Sequence, residues 1–349
     1  MKNNRLLYIL LSVLFVWLLV LSIVVANKKN TEEINEISQY NVSGFSTDLS
    51  RIYDMNKSSI VTIEESGNIS SGFIYSKKDD YVYIITSYHG VSDGGQISVH
   101  FNNGIKNKAI LKAYDIYSDM AVLECEFDYD VKTVTLGNSS LIKTGEFVLA
   151  IGCKKDLEYD FSSQFALVSN RYREIENNIV YGGTNHRYYI GLIQLAGDFD
   201  NGYSGCPVFN MAGEVVGLVN MKDDDVVFTL PINEIKILAN KMIENQEYKR
   251  NDLGIKGYFI KDLENYEIAS LDIPLNTLDG YYVENILNNS IAYNLGIQKG
   301  DIVISINNIQ IIDSDNMLDI KYADLDAIEI IIIRNGEELT LRNDLNNND

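Results

Sequence analysis

Cysteine and histidine are scarce in this chain of 349 residues, with three of each. Cys125, Cys153 and Cys206 form no CxxC pair, which excludes a disulfide framework and a cysteine-built zinc site. Chemistry that needs an imidazole has only His89, His100 and His186 to use. Positive charge is short as well: 29 Lys plus Arg stand against 49 Asp plus Glu, a formal net charge of −20. A polyanion is repelled over most of such a surface, so general nucleic-acid binding is excluded. Hydrophobic residues are not short. At 46% of the chain they supply packed cores and exclude disorder as the main state, and at about 100–200 residues per domain the length fits roughly two folded units.

Charge is absent altogether from Leu6 to Ala26, a run of 21 residues. At about 1.5 Å per residue such a helix crosses a hydrocarbon core about 30 Å thick. Lys2 and Arg5 precede it, so the positive-inside tendency places the N-terminus in the cytoplasm and everything after Asn27 outside, against the pull of Lys28 and Lys29. A cleaved signal peptide is the alternative, with Val24-Val25-Ala26 as the cleavage site. The run is longer than the usual apolar region of about 7–15 residues, which favours an uncleaved anchor over residues 1–27. Residues 28–51 are polar, lack apolar periodicity and read as a stalk.

From residue 52 short β-rich runs dominate: Ile60 to Ile63, Tyr81 to Ile85, Ala121 to Phe127, Phe147 to Ile151, Tyr188 to Leu195, Pro207 to Asn210 and Val215 to Val219. Many short strands between Gly, Asn and Asp turns predict a closed or sandwiched all-β domain. Ile235, Leu238, Ala239, Met242 and Ile243 then recur at helical spacing after Asn233 as the expected N-cap, and this helix closes a first domain spanning 52–248. A smaller unit follows at 249–345, with strands at Tyr281 to Leu287, Ile302 to Ile306 and Ala327 to Ile333, the last entering a hairpin at Asn335-Gly336. The polar tail after Asn343 is expected to fray.

Three segments carry candidate chemistry. Gly202-Tyr203-Ser204-Gly205 sets a hydroxyl between glycines that let the backbone turn sharply, so that the Gly202 and Ser204 amides can meet an oxyanion while Ser204 attacks. Alone it is a common structural turn. His89 follows an apolar strand in SYHGV, and Asp119 precedes one in SDMAVL; each taken singly is more often a satisfied histidine or a turn acid.

Together, in the order His89, Asp119, Ser204, and with LGNSSLIKTGEFVLAIG, GYSGCPVFNMAGEVVGLVN and FTLPIN, these segments resemble the trypsin-like proteases of the high-temperature-requirement A (HtrA, or Deg) family. The resemblance covers about residues 55–342. Lys249 to Ile255 resembles that family's entry to a PDZ domain, and Gly280 to Val303 the centre of one. It implies a mainly β protein: a chymotrypsin-like double β-barrel followed by a PDZ domain, with the N-terminal transmembrane helix as anchor. It also implies a His89-Asp119-Ser204 triad, an oxyanion hole from Gly202 and Ser204, no metal or cofactor, misfolded or exposed protein segments as substrates, and trimeric assembly. In the PDZ unit Leu253, Gly254 and Ile255 would receive a peptide C-terminal carboxylate, the peptide adding a strand beside Ile255 and Lys256. A plain glycine turn is the alternative there.

Tyr203 and Cys206 stand where the family usually has Asn and Gly, and Tyr88 and Gly90 flank the histidine unusually. Cys206 is thereby a second candidate nucleophile. A catalytically silent peptide-binding scaffold is the alternative function, disfavoured because it has no need of all three triad residues. His100 and His186 lack partners at a telling spacing and read as solvated or locally bonded. Asp223-Asp224-Asp225 lacks the Gly and distal Glu of a calcium loop and reads as a hairpin tip. Asp198, six residues before Ser204, is either the acid at the base of a pocket for cationic side chains or a loop acid in solvent, the second being the ordinary fate of an acid. Tyr172 to Asn185 reads as a loop with a candidate gating role.

Overall fold

The computed structural model describes residues 17, 18, 22, 48–153, 161–181, 183–199, 201–223, 226–246, 248, 250–274 and 277–344. Apart from Trp17, Leu18, Ser22 and residues 48–51, the expected anchor and stalk lie outside them, as do Asp200, Asp224, Asp225, Lys249 and the last five residues. No helix among the described residues is long and apolar enough to cross a membrane. The chain divides into two compact units at Arg51/Ile52. The described residues of the first include a helical segment at 48–51.

In the second unit, strands β1 (Ile60–Glu65), β2 (Asn68–Lys78), β3 (Tyr81–Ser87), β4 (Ile97–Phe101), β5 (Lys106–Asp115) and β6 (Met120–Glu126) close into a barrel in the order β1-β2-β3-β6-β5-β4. Every pairing is antiparallel, and β4 returns to β1 to remove the edges that would invite aggregation. β-Branched residues fill its interior: Val61, Ile63, Ile74, Val82 and Ile84 are fully buried. A second closed barrel follows with the order β10-β11-β12-β9-β8-β7. Its strands are β7 (Phe147–Cys153), β8 (Phe161–Tyr181), β9 (Thr184–Ala196), β10 (Pro207–Phe209), β11 (Val215–Asp223) and β12 (Val226–Pro231). Val148, Ala150, Val168, Leu195 and Val208 form part of its core. This is the expected double barrel.

The helix Ile232–Ile243 packs Ile235, Leu238, Ala239 and Met242 inward, as its spacing predicts. Its N-cap position is Pro231 rather than Asn233, because β12 runs into the helix with no intervening loop. The Asn233 amide instead donates to the side chains of Asn138 and Asp315. Strands β13 (Ile255–Phe259), β14 (Tyr281–Ile286), β15 (Ile302–Ile306), β16 (Ile309–Gln310), β17 (Ala327–Arg334) and β18 (Glu337–Asp344) form a third sheet in the order β13-β14-β15-β17-β18, with β16 on β15. A helix, Ser314–Lys321, flanks it, and Asn335-Gly336 turns the β17–β18 hairpin with φ of 53° and 82°, the left-handed pair such turns require.

Two further expectations change. The segment 172–185 is not a loop: β8 and β9 pair from Leu167–Ala196 out to Tyr181–Thr184 as a ribbon projecting beyond the barrel. His100 is buried and bonded across strands, its Nε2 lying 3.0 Å from Glu64 Oε2.

Candidate active site

β3 ends at Ser87 and breaks into a short 3₁₀ turn, Tyr88–Val91, which lifts a half-exposed His89 off the barrel rim. Tyr88 stacks flat on Tyr114 of β5, ring centroids 4.1 Å apart, so the bulky neighbour of the histidine is held against the barrel wall. The turn between β5 and β6 ends on Asp119 with φ 50°, a left-handed conformation that aspartate tolerates better than most residues. That conformation lets Asp119 hold the Tyr88-His89 turn three ways. The Tyr88 amide donates to the Asp119 carbonyl at 2.9 Å. The His89 amide donates to Oδ1 at 2.8 Å, and Nδ1 lies 2.6 Å from Oδ2. The hydrogen bond to Asp119 raises the His89 pKa above the ordinary imidazole value, while burial opposes the rise. With its Nδ1 proton directed at the carboxylate, the ring has Nε2 as its free base.

Ser204 comes from the other barrel. It follows a 3₁₀ turn, Asn201–Tyr203, and precedes Gly205 at φ 81°. A Cβ on Gly205 would sit 2.2 Å from the Ser71 carbonyl oxygen and 2.9 Å from the Ser87 nitrogen, so only glycine permits this approach. The Ser71 amide donates to the Ser204 carbonyl, the Ser71 hydroxyl donates to the Gly202 carbonyl at 2.8 Å, and the Gly205 amide donates to Val219. Ser87 Oγ also donates to the Val219 carbonyl at 3.2 Å, and Asn220 Nδ2 to the Ser118 carbonyl at 2.5 Å. Ser87 lies two residues before His89 and Ser118 one before Asp119, so these bonds bring all three candidates to one seam between the barrels. No hydrogen bond joins the Ser204 hydroxyl to His89 among the described residues; in a ligand-free site that contact is often loose and tightens with substrate. Sequence reasoning missed Ser71 and Asn220. Each bridges residues far apart in the chain, and although Asn220 ends the GYSGCPVFNMAGEVVGLVN segment, nothing local marks its partner.

The Gly205 and Cys206 amides are engaged within the fold, and the fixed Gly202 carbonyl sets the orientation of the turn that carries the Gly202 and Ser204 amides. Cys206 is fully buried in the second core, and burial pushes its thiol well above the ordinary value, which argues against a thiolate nucleophile. Tyr203 is buried too, its hydroxyl bonded to Ser162 and its ring edge-on to Phe199. Beside Ser204 lies a cavity lined by Phe199, Val219, Asn220, Met221, Lys222 and Val227. Asp198 does not reach it: its side chain is 97% exposed, 3.7 Å from the Lys222 ammonium. His186 contacts Tyr117 edge-on.

The second candidate site lies at the start of the third sheet. Gly254 has φ 72°, and a Cβ there would meet Ser290 at 2.2 Å. The Leu253 and Gly254 carbonyls accept from the Ala292 and Leu287 amides, which fixes the loop. A cavity between Leu253–Ile255 and Met317, Leu318 and Lys321 of the flanking helix also takes Tyr172 and Glu174 of β8 as wall. Glu174 accepts from the Gly257 amide of β13 at 3.0 Å, from Tyr172 at 3.2 Å and from the Tyr281 hydroxyl. Burial raises its pKa to about 7, and those hydrogen bonds oppose the rise. The edge of β13 is therefore engaged at Gly257 by the chain's own ribbon.

Residues 70–218 match the trypsin-like peptidase domain family. The chain is a relative of the Do-like HtrA serine proteases. A Bacillus subtilis (strain 168) protein named serine protease Do-like HtrA is 30% identical over 286 residues, which are 79% of this chain and 63% of that one. The same organism's serine protease Do-like HtrB is 28% identical over 281 residues, covering 78% and 60%. The chain thus spans about three fifths of the length of these relatives. Among solved structures, an HtrA-type protease AlgW with a tripeptide superposes with TM-score 0.58 over 85% of this chain and 96% of that one, at 21% identity, a likeness of fold.

Proposed function

We propose that the chain is a serine endopeptidase working through His89, Asp119 and Ser204. The observation that carries this reading is the seam itself: Asp119 is bonded at once to the backbone and the ring of His89, and the Ser204 turn is locked against the strand end from which His89 departs. Ser204 Oγ attacks a peptide carbonyl as His89 Nε2 takes its proton, and the imidazolium formed is stabilised by Asp119. The Gly202 and Ser204 amides meet the oxyanion of the tetrahedral intermediate. His89 returns the proton to the leaving amine, and water attacks the acyl-enzyme by the same route in reverse. The cavity beside Ser204 presents Phe199, Val219, Met221 and Val227 among its lining residues, a surface that suits an aliphatic side chain before the scissile bond.

In this reading residues 249–345 are a PDZ domain whose Leu253-Gly254-Ile255 loop receives peptide C-termini, and Leu6–Ala26 tethers the enzyme so that both domains face away from the cytoplasm. Its substrates are unfolded or exposed segments of proteins in that compartment. The test is degradation of an unfolded model substrate by the wild type and by Ser204→Ala. Turnover lost in a folded variant supports the enzyme, whereas equal behaviour of the two supports a scaffold.

A further inference from the structure

Arg250 is a charged side chain only 8% exposed, placed where the helix Ile232–Ile243 has ended and the third sheet has not begun. Its Nη1 lies 3.2 Å from Asp115 Oδ2 and its Nε 2.6 Å from Asp252 Oδ2. Its guanidinium stands 4.8 Å from the ring centre of Tyr117 and 5.5 Å from that of Tyr188. Nη2 is buried without a hydrogen-bond partner among the described residues, so stacking and two ion pairs hold the group.

Asp115 is the last residue of β5 and opens the turn that ends on Asp119. Its Oδ2, the atom Arg250 contacts, also accepts the Ser118 amide at 2.9 Å, while the Ser118 carbonyl accepts from Asn220. Both peptide groups of Ser118 are thereby fixed, and the second of them is the one that leads into Asp119. Asp119 needs that fixing, because its left-handed backbone is sparsely populated unless neighbours hold it. The residue after Arg250 faces the other way: Asn251 donates from its side chain to the Ile320 and Ala323 carbonyls and from its amide to Lys321. Two adjacent residues thus join the end of the Ser314–Lys321 helix to the turn that carries Asp119.

We infer that Arg250 is a positioning residue for Asp119, setting the alignment of the His89–Asp119 pair through Asp115 and Ser118. The inference rests on the triad reading above. Without Arg250 the buried Asp115 carboxylate has lost its counter-charge, and its hold on Ser118 weakens as it turns to other partners. Asp119 then loosens from His89 with no member of the triad replaced. Among the described residues Asp119 is the one charged group in contact with the imidazole, so its displacement lowers the histidine pKa.

The test uses the full chain in wild-type, Arg250→Met and Arg250→Lys forms. It measures kcat/KM on a quenched-fluorescent unfolded substrate against pH, per active site titrated with a fluorophosphonate. Arg250→Met keeps the stem between the two tyrosines, and Arg250→Lys keeps the charge in case the first variant does not fold. The expected result for Arg250→Met is a fall of between about 10- and 100-fold, with the acid limb moved to lower pH. Arg250→Lys falls between it and wild type. A merely structural role would lower the number of titratable sites and leave both the per-site rate and the acid limb in place; that result, in either variant, overturns the inference. A wild type that the probe does not label at Ser204 overturns the triad reading, and this inference with it.

Discussion

At His89, Asp119 and Ser204 the neighbouring backbone groups are fixed from outside the cleft, by Ser71, Ser87, Val219 and Asn220, and the cleft itself stays open. At Leu253–Ile255 the loop is fixed as firmly, but the strand beside it is occupied by the chain's own Glu174 and Tyr172. In the proposed reading, the contrast separates a site that awaits its substrate from one whose ligand must displace something. Catalytic geometry tolerates little movement, so its supports are rigid backbone contacts. A peptide-binding edge can be covered by a side chain because a side chain can swing away at modest cost.

The largest expected effect lies at the first region. Ser204→Ala should lower proteolysis by about 10³ or more with the thermal unfolding curve unchanged, since a half-buried hydroxyl at a turn contributes little packing. His89→Ala should cost about as much, and the double variant scarcely more, because the two act as one unit. Additive losses would show that they do not.

At the second region the effect is smaller and depends on pH. Glu174 is an acid whose folded pKa, about 7, exceeds its unfolded value near 4.5. The folded state therefore holds the proton over that interval, and the docked ribbon is most stable below it and loses stability as pH rises through about 7. The groups facing the carboxylate are the Tyr172 and Tyr281 hydroxyls and, at longer range, the Lys256 ammonium. Binding of a fluorescent C-terminal peptide, followed by anisotropy in the full chain, should tighten as pH rises past about 7. Glu174→Ala should bind about tenfold tighter than wild type at low pH and lose the pH dependence, a change of about 1.4 kcal/mol. Equal affinity in both proteins at every pH would mean that the ribbon does not compete with peptide.

The smallest expected effect is none. Cleavage-site mapping on a denatured protein should show cuts after aliphatic residues, unchanged in Asp198→Ala, because that side chain stands in solvent. Cuts after Lys or Arg that vanish in the variant would return Asp198 to the pocket.

The first region was largely legible in the sequence and the second only in part. The strand end at Ser87 is marked by a switch from a β-branched run to turn residues, the apolar run after Asp119 marks the start of another strand, and the glycines around Ser204 announce the sharp turn. The supports were not legible: Ser71, Asn220 and Arg250 act across 131, 102 and 135 residues of chain, and no local pattern encodes such pairings. The β8–β9 ribbon was misread as a loop because its polar residues at 174–178 alternate weakly; its order comes from pairing and from the sheet that Tyr172 and Glu174 touch, through tertiary contacts that override propensity. Glu174, an acid in a polar stretch, carries no sequence sign that it is half-buried against the third sheet.

The most direct measurement is the site of covalent modification by a fluorophosphonate, found by peptide mapping of the labelled full chain. The expected result is one adduct, on Ser204, formed far more slowly in His89→Ala. An adduct on Cys206, or a folded wild type that takes up no probe, would contradict a serine protease built on this seam.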